Sequence, residues 1–458
     1  MRERGSILVG LLWCLALLSV VVVGVLHTAR LDLMVVKNYG DRIQARYLAL
    51  AGVEKAKALI YQDAVNRRRS ARNHGGELYD APADFRDVHF GRGQFRVFRR
   101  GRPDEGGGII FGVSDEESRL NINYATTNDL PHLQDMTPDI VAAIIDWRDA
   151  DNEVTPGGAE KDYYLSLQPP YLPRNGPLLT TRELLMVRGV SSELLLGKDL
   201  NQNGLLDNVG DGGKDSPLED DQAVLTDTGW ASMLTVDSTM ENLNASGQER
   251  VNVQQADESS LSGVHGITPT IAKAIVASRN QNKLQSLADL LDVAAAQNQG
   301  RNGGGGNRGN QGDGAPPQNG GQPNQNSGPK VISQELLMDI ADDLTVESGQ
   351  DLPGLVNINT ASLSVLSCLP GLDRQTAQAI ISYRASNGFL PNIASLLKVP
   401  GITRDIFKQV ASRVTARSET YRILSEGKVN STGARQRIQV IVHVGLKEIT
   451  TLSYREDL

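Results

Sequence analysis

The chain has 458 residues, enough for two or three small cores, and its formal net charge of −8 excludes a protein built mainly around the nucleic-acid backbone. Its two cysteines are Cys14, inside an apolar run, and Cys368, inside an apolar helical stretch; they make an implausible pair, so no disulfide scaffold is encoded.

Met1-Arg-Glu-Arg-Gly5 is followed by an uncharged apolar run from Ser6 to about Leu26. About twenty residues rising ~1.5 Å each cross a hydrocarbon core of roughly 30 Å. The run exceeds the about 7–15 residues of a secretory signal, and Leu26-His-Thr-Ala-Arg30 is a poor exit for its peptidase. A plain anchor is one reading, with Arg2 and Arg4 keeping the amino end in the cytoplasm. A leader cut before the apolar helix, between Gly5 and Ser6, is the other. Beyond the span, Ala45, Ala49, Val53, Ala56 and Ile60 recur at helical spacing, which predicts one helix from the membrane to about Asn66 with a small-residue stripe for a soluble domain.

Gly93-Gln-Phe-Arg-Val-Phe98 alternates as a strand does, and Gly108-Ile-Ile-Phe-Gly-Val113 reads as a short buried strand. A threefold repeat follows: Leu120-Asn-Ile-Asn-Tyr-Ala125, Val251-Asn-Val-Gln-Gln-Ala256 and Val356-Asn-Ile-Asn-Thr-Ala361. Each leads to a helix ending in Arg148, Arg279 or Arg384, and each copy closes on a second apolar helix beginning at Thr181, Leu287 or Ile393. Three related all-helical units are therefore expected. In the third, Leu369-Pro-Gly-Leu-Asp373 and Val399-Pro-Gly-Ile-Thr403 look like helix-hairpin-helix turns. Between the second and third lies a Gly/Asn/Gln/Pro tract, 297–330, which cannot bury enough apolar surface to order itself and reads as a disordered linker. At the far end, Arg437-Ile-Gln-Val-Ile-Val-His-Val444 and Ile449-Thr-Thr-Leu-Ser-Tyr454 read as a hairpin.

Asp199, Asn201, Asn203, Leu205 through its carbonyl, and Asp207 follow the alternating oxygen pattern of an EF-hand-type loop, with Gly204 at the sharp turn. Calcium suits that set. The twelfth place is Gly210, so Asp207 or Asp211 would have to complete it. The acidic loop from Asp149 to Asp162 is a weaker second candidate, with a capped, solvated loop as the plainer reading. No catalytic constellation appears: the six histidines are scattered, and Gly-Gly-Lys214 is followed by Asp215 instead of the Ser or Thr of a phosphate loop. No enzyme is expected.

Gly5 before the apolar helix and Leu50-Ala-Gly-Val-Glu-Lys-Ala56 after it resemble the amino-terminal helix of pilins and pseudopilins. Asp146-Trp-Arg-Asp-Ala-Asp151, Pro156-Gly-Gly-Ala-Glu-Lys-Asp-Tyr-Tyr164 and Leu184-Leu-Met-Val-Arg-Gly-Val190 look like the central helical domain of the K-type minor pseudopilins of type II secretion. Gly10 stands where most pilins carry Glu, a departure that the K-type family shares. The resemblance implies an α+β fold: a long transmembrane, pilin-like helix, a small antiparallel sheet drawn from both chain ends, and a large all-α insertion of helix-hairpin-helix, SAM-like units. It implies cleavage at Gly5–Ser6 by a prepilin peptidase, methylation of Ser6, and a single-pass bacterial inner-membrane protein with its bulk in the periplasm. Its partners would be other minor pseudopilins and the secretion machinery. Its role would lie at the tip of the pseudopilus, where Gly10 lacks the carboxylate that docks a subunit onto an existing filament, so that the subunit sits first.

The expected parts are a leader 1–5, a membrane segment 6–28, a pilin-like domain built from 29–117 with 418–458, a first helical unit 118–200, an acidic region 201–245, a second unit 246–296, the linker 297–330, and a third unit 331–417. The third unit and its linker exceed the family's usual plan. They also resemble a competence-type, membrane-anchored DNA receptor, in which Gly371 and Gly401 with Arg374 and Arg404 would meet phosphates. From Leu355 to Arg417 seven Lys/Arg stand against Asp373 and Asp405. Against DNA, Asp373 and Thr403 replace the second glycine of each hairpin, and an Asp there caps its own helix and repels phosphate.

Overall fold

The computed structural model describes residues 4–70, 76–199, 229–295 and 328–456. Helix α1 runs unbroken over Arg4–Ser70, 67 residues. From Leu8 to Gly40 every residue is exposed, and from Asp41 onward one stripe is buried: Ala45, Ala49, Val53, Ala56, Ile60 and Ala64. The small-residue periodicity thus marks where the helix leaves its bare stretch and lies down on a sheet.

That sheet is antiparallel and draws on both chain ends. Its order is β1 (Val88–Phe90), β2 (Gly93–Val97), β3 (Thr420–Val429), β4 (Arg435–Val444) and β5 (Ile449–Glu456), and Ser114–Asp115 also pairs with β3. The expected β4–β5 hairpin is present, with Val440 opposite Tyr454. The central strand β3 has no counterpart among the strands expected from the sequence. Its helix-facing residues are Tyr421, Ile423, Ser425, Gly427 and Val429, and the apolar alternation fails at Ser425 and Gly427 because α1 lies too close for larger side chains. A Cβ on Gly427 would run into the Ala45 carbonyl oxygen and stand 2.5 Å from the Ala49 nitrogen.

The strand expected over 108–113 shrinks to Ile109–Ile110, paired with Arg99–Arg100. Past it, Phe111 and Val113 bond instead to the loop before β1: the Ala81 N–H donates to the Phe111 carbonyl and the Val113 N–H to that of Leu78.

The three helical units are closed by one recurring device. Leu120–Asn121 pairs in parallel with Leu234–Thr235, Val251–Asn252 with Leu344–Thr345, and Val356–Asn357 with Val414–Thr415. In each, the Asn side chain accepts the N–H two residues on, at 3.0, 2.8 and 2.9 Å. The closing Thr hydroxyl accepts in the same way from Asp237, Glu347 and Arg417. The repeated arginines act as struts: Arg148, Arg279 and Arg384 donate to the carbonyls of Ile122, Val253 and Ile358, the residue after each Asn. These bonds satisfy backbone acceptors inside the core, where an unpaired one costs about 1–3 kcal/mol. A single apolar cluster from Leu120 to Ala416 runs through all three units, and a second lies between α1 and the sheet.

This pairing redraws the expected boundaries. The first unit closes only at Leu234–Thr235, so its end lies inside the region expected to be an acidic connector, 201–245. The helix Gln334–Ile340 and the strand Leu344–Thr345, expected to open the third unit at 331, complete the second. The tract expected to link two units therefore leaves and re-enters one. Ala294 bridges Lys330, the Ala295 N–H donates to Pro329, and the Val331 N–H donates to Val293. The tract itself, 296–327, lies outside the described residues. Adjacency in sequence does not identify these partners, because a unit's closing strand pairs across whatever is inserted before it.

Candidate metal centre and helix-hairpin-helix surface

Asp146, Asp149 and Glu160 converge at the end of the helix Pro138–Arg148, where one ligand oxygen from each lies within 4.8 Å of the others. Asp146 faces inward from the last turn. Asp149 is the residue that ends the helix, and its N–H donates to the Ile145 carbonyl at 3.0 Å. Glu160 precedes the short helix Lys161–Leu165. The Gly-Gly-Ala-Glu loop brings Glu160 back. Gly157 takes φ +85, and a Cβ on Gly158 would collide with the Asp146 carboxylate. Arg188 holds the loop from outside, donating to the Gly158 carbonyl at 2.8 Å.

The electrostatics of this cluster are lopsided. Asp146 is fully buried and Glu160 is 3% exposed, yet among the described residues no donor meets either Glu160 oxygen or Asp149 Oδ1 in good hydrogen-bond geometry. Asp146 accepts from the Thr155 N–H at 3.2 Å. No Lys or Arg forms an ion pair with any of the three among the described residues, and the neighbouring Arg148 is committed to the Ile122 and Ala125 carbonyls. Burial, together with the neighbouring Asp146 and Asp151, raises Asp149 above the usual carboxylate range. Burial and the charges of Asp149 and Asp146 raise Glu160 likewise. A helix carboxy terminus adds its own negative end. Hard oxygen donors without a cation suit a divalent cation such as calcium.

Of the EF-hand-like set, only Asp199 is among the described residues. Asn201, Asn203, Leu205, Asp207 and Asp211 lie outside them. The cluster sits instead in the acidic loop that ranked second from the sequence. In sequence the cluster is an i, i+3 Asp pair at a helix end facing a Gly-Gly-x-Glu turn, with none of the oxygen alternation that marks the loop from Asp199. Gly5 and Ser6 lie at the start of α1. A Cβ built on Gly10 meets nothing within 4 Å, so packing within the chain does not demand a glycine there.

Gly371 and Gly401 sit in the expected turns at φ +77 and +90, with Arg374 and Arg404 exposed beside them. Each following helix already has its own cap: Asp373 accepts from the Thr376 N–H at 2.8 Å and Thr403 from the Ile406 N–H at 3.3 Å. The local excess of positive charge is largely spent on other parts of the chain. Arg384 pairs with Asp104 at 3.1 Å, Arg413 with Asp129 at 2.7 Å and Arg417 with Asp342 at 2.7 Å, and Lys408 pairs with Asp292.

A long apolar helix laid on an antiparallel sheet from both chain ends, interrupted by helix-hairpin-helix units, defines a pilin-like protein with a large helical insertion. Residues 119–197 match the family model described as type II secretion system (T2SS), protein K, and residues 246–296 and 354–415 match that of the helix-hairpin-helix motif. The chain is 26% identical over 215 residues to type II secretion system protein K of Pectobacterium carotovorum subsp. carotovorum, covering 42% of this chain and 60% of that one. It thus spans less than two thirds of that curated relative's length. It is 38% identical over 73 residues to ComE operon protein 1 of Bacillus subtilis (strain 168), covering 16% of this chain and 36% of that one. The crystal structure of the GspK-GspI-GspJ complex from the enterotoxigenic Escherichia coli type 2 secretion system aligns over 91% of this chain and 98% of that one, at 12% identity and a TM-score of 0.43. The family model and the curated relative show the resemblance read from the sequence, to the K-type minor pseudopilins, with helix-hairpin-helix repeats added.

Proposed function

We propose that the chain is a minor pseudopilin of type II secretion, cut between Gly5 and Ser6 and held in the bacterial inner membrane by α1, with its bulk exported. The observation that carries this reading is the two-part helix. Residues 8–40 are bare over about 50 Å, enough to span a bilayer or line a filament, and the helix is docked on its own sheet only from Asp41. A bare amphipathic-to-apolar shaft on a folded head fits a subunit that packs its shaft against other subunits. The partners are other minor pseudopilins.

The resemblance to the K-type family favours a position at the tip. Lacking a carboxylate at Gly10, it has no group to dock on a subunit above, while others add beneath it. The bulky helical insertion is compatible with a tip, where lateral neighbours do not crowd it. Calcium at Asp146, Asp149 and Glu160 belongs to the same proposal, as the ion that lets the first helical unit close around its buried carboxylates.

Mass spectrometry of the mature chain from cells with an active prepilin peptidase tests the reading. The amino terminus is expected at Ser6, carrying an N-methyl group. An intact Met1 would overturn it in favour of a plain anchor. The competence-type reading draws on the local likeness to ComE operon protein 1, and the pairing of four of the third unit's seven cations weighs against it.

A further inference from the structure

The geometry points to one proton, shared by Asp115 and Glu117, as the clamp that fastens the helical insertion to the pilin-like sheet. The segment Asp115–Glu117 is the place where the chain passes from sheet to insertion, and it touches three bodies at once. Asp115 pairs with β3 opposite Tyr421, and its Oδ2 accepts from Asn357 Nδ2 of the third unit at 3.0 Å and from Thr360. The Glu117 carbonyl accepts the Asn357 N–H at 2.7 Å, and its Oε2 accepts the Thr420 N–H of β3 at 3.2 Å. Glu116 reaches Thr235, which closes the first unit, and Arg422 of β3.

Asp115 is 3% exposed and Glu117 fully buried. The two nearby arginines, Arg119 and Arg422, both serve Glu116, at 3.8 and 2.6 Å, and no cation pairs with either Asp115 or Glu117 among the described residues. The other groups facing the pair are Tyr79, from the short helix Glu77–Tyr79, and Tyr421 of β3, both of which burial keeps as neutral phenols. Behind Tyr421 stand Asp63 and Arg67 of α1. Asp237, pushed up to about 6 by burial and then by Glu116, flanks the same joint. Two adjacent buried carboxyls without a cation cannot both ionise. Asp115 Oδ1 accepts the Glu117 N–H at 2.8 Å, which ties the two residues together, and with a proton the Glu117 carboxyl is also a donor to Asp115. Without it, two like charges face each other across the seam.

The sign follows from linkage. Burial first, and then the charge of Asp115, raises Glu117 well above its ordinary value of 4.5, so the folded chain holds a proton that the unfolded chain has released. Stability is full below about pH 4.5 and falls as pH rises toward the pair's own titration, by tenfold in the folding constant per pH unit.

Thermal melting and hydrogen exchange of the full chain in detergent, from pH 5 to 9, test this against Glu117→Gln, whose amide donates to Asp115 without needing a proton. The wild type is expected to lose protection at the Thr420 amide as pH rises, and the variant to lose one proton's share of the slope while keeping the shares of Asp237, Asp149 and Glu160, which burial also raises. Equal slopes in the two proteins would overturn the proposal. Should the variant not fold, the infrared band of a protonated carboxyl decides in the wild type: its loss is expected only well above the ordinary carboxylate range, and loss within that range would overturn the proposal equally.

Discussion

Gly427→Ala is expected to loosen α1 from its own sheet. The new Cβ would press on the Ala45 carbonyl oxygen, stand 2.5 Å from the Ala49 nitrogen and 2.7 Å from Leu48 Cβ. Two of these are backbone atoms of a continuous helix, which cannot step aside the way a side chain can. Forcing one methyl into a packed seam costs about 1–3 kcal/mol, and the upper end applies where only backbone can yield. Gly52→Ala is the comparator. Its Cβ would meet Ser425 Oγ and, at 2.9 Å, the Phe95 ring, both of which can rotate, so a smaller loss is expected. Melting of the two variants and exchange rates across 45–60 read the difference. A Gly427→Ala chain that melts with the wild type would show that the helix does not lie where its glycine contact requires.

Calcium is expected to raise the melting temperature of the purified protein and a chelator to lower it. A ligand at a hundred times its dissociation constant adds about 2.7 kcal/mol. The pH dependence has a definite sign. Asp149 is raised in the folded chain by burial and by Asp151 and Asp146, and Glu160 by burial and by Asp149 and Asp146, so without metal they cost stability as pH rises above the ordinary carboxylate range. Calcium removes that cost and competes with the protons, so its stabilising shift should grow from pH 5 to pH 8. Glu160→Gln should abolish the shift, and Asp207→Asn should leave it. The reverse pattern would move the ion to the loop from Asp199 to Asp211. No shift in the wild type would remove calcium from the protein altogether.

Where sequence and structure part company, the cause can be named. The stripe from Ala45 to Ile60 was legible because one helix face meets one sheet, which gives a regular period. Strand β3 was not, because the same contact demands Ser425 and Gly427 where apolar alternation would need bulk. The apolar-Asn openings of the repeats were visible, but the partner of each, a Leu-Thr or Val-Thr pair about sixty to more than a hundred residues away, is marked by no local signal. The acidic cluster was half legible: its residues stood in view, while their convergence depends on the reversal at Gly157–Gly158.

Local patterning by itself determined the bare apolar helix, the threefold helical repeat, the hairpin turns with their caps and the resemblance to the K-type family, since each depends on neighbours within a turn or two. Tertiary structure alone decided which segments close each unit and what the charges do. The positive excess of residues 355–417 looked like a surface for phosphate. Asp104, Asp129, Asp292 and Asp342, from four other parts of the chain, each take one of those cations. Charge sums along a sequence, but it pairs through space, over a few ångströms that only the fold sets.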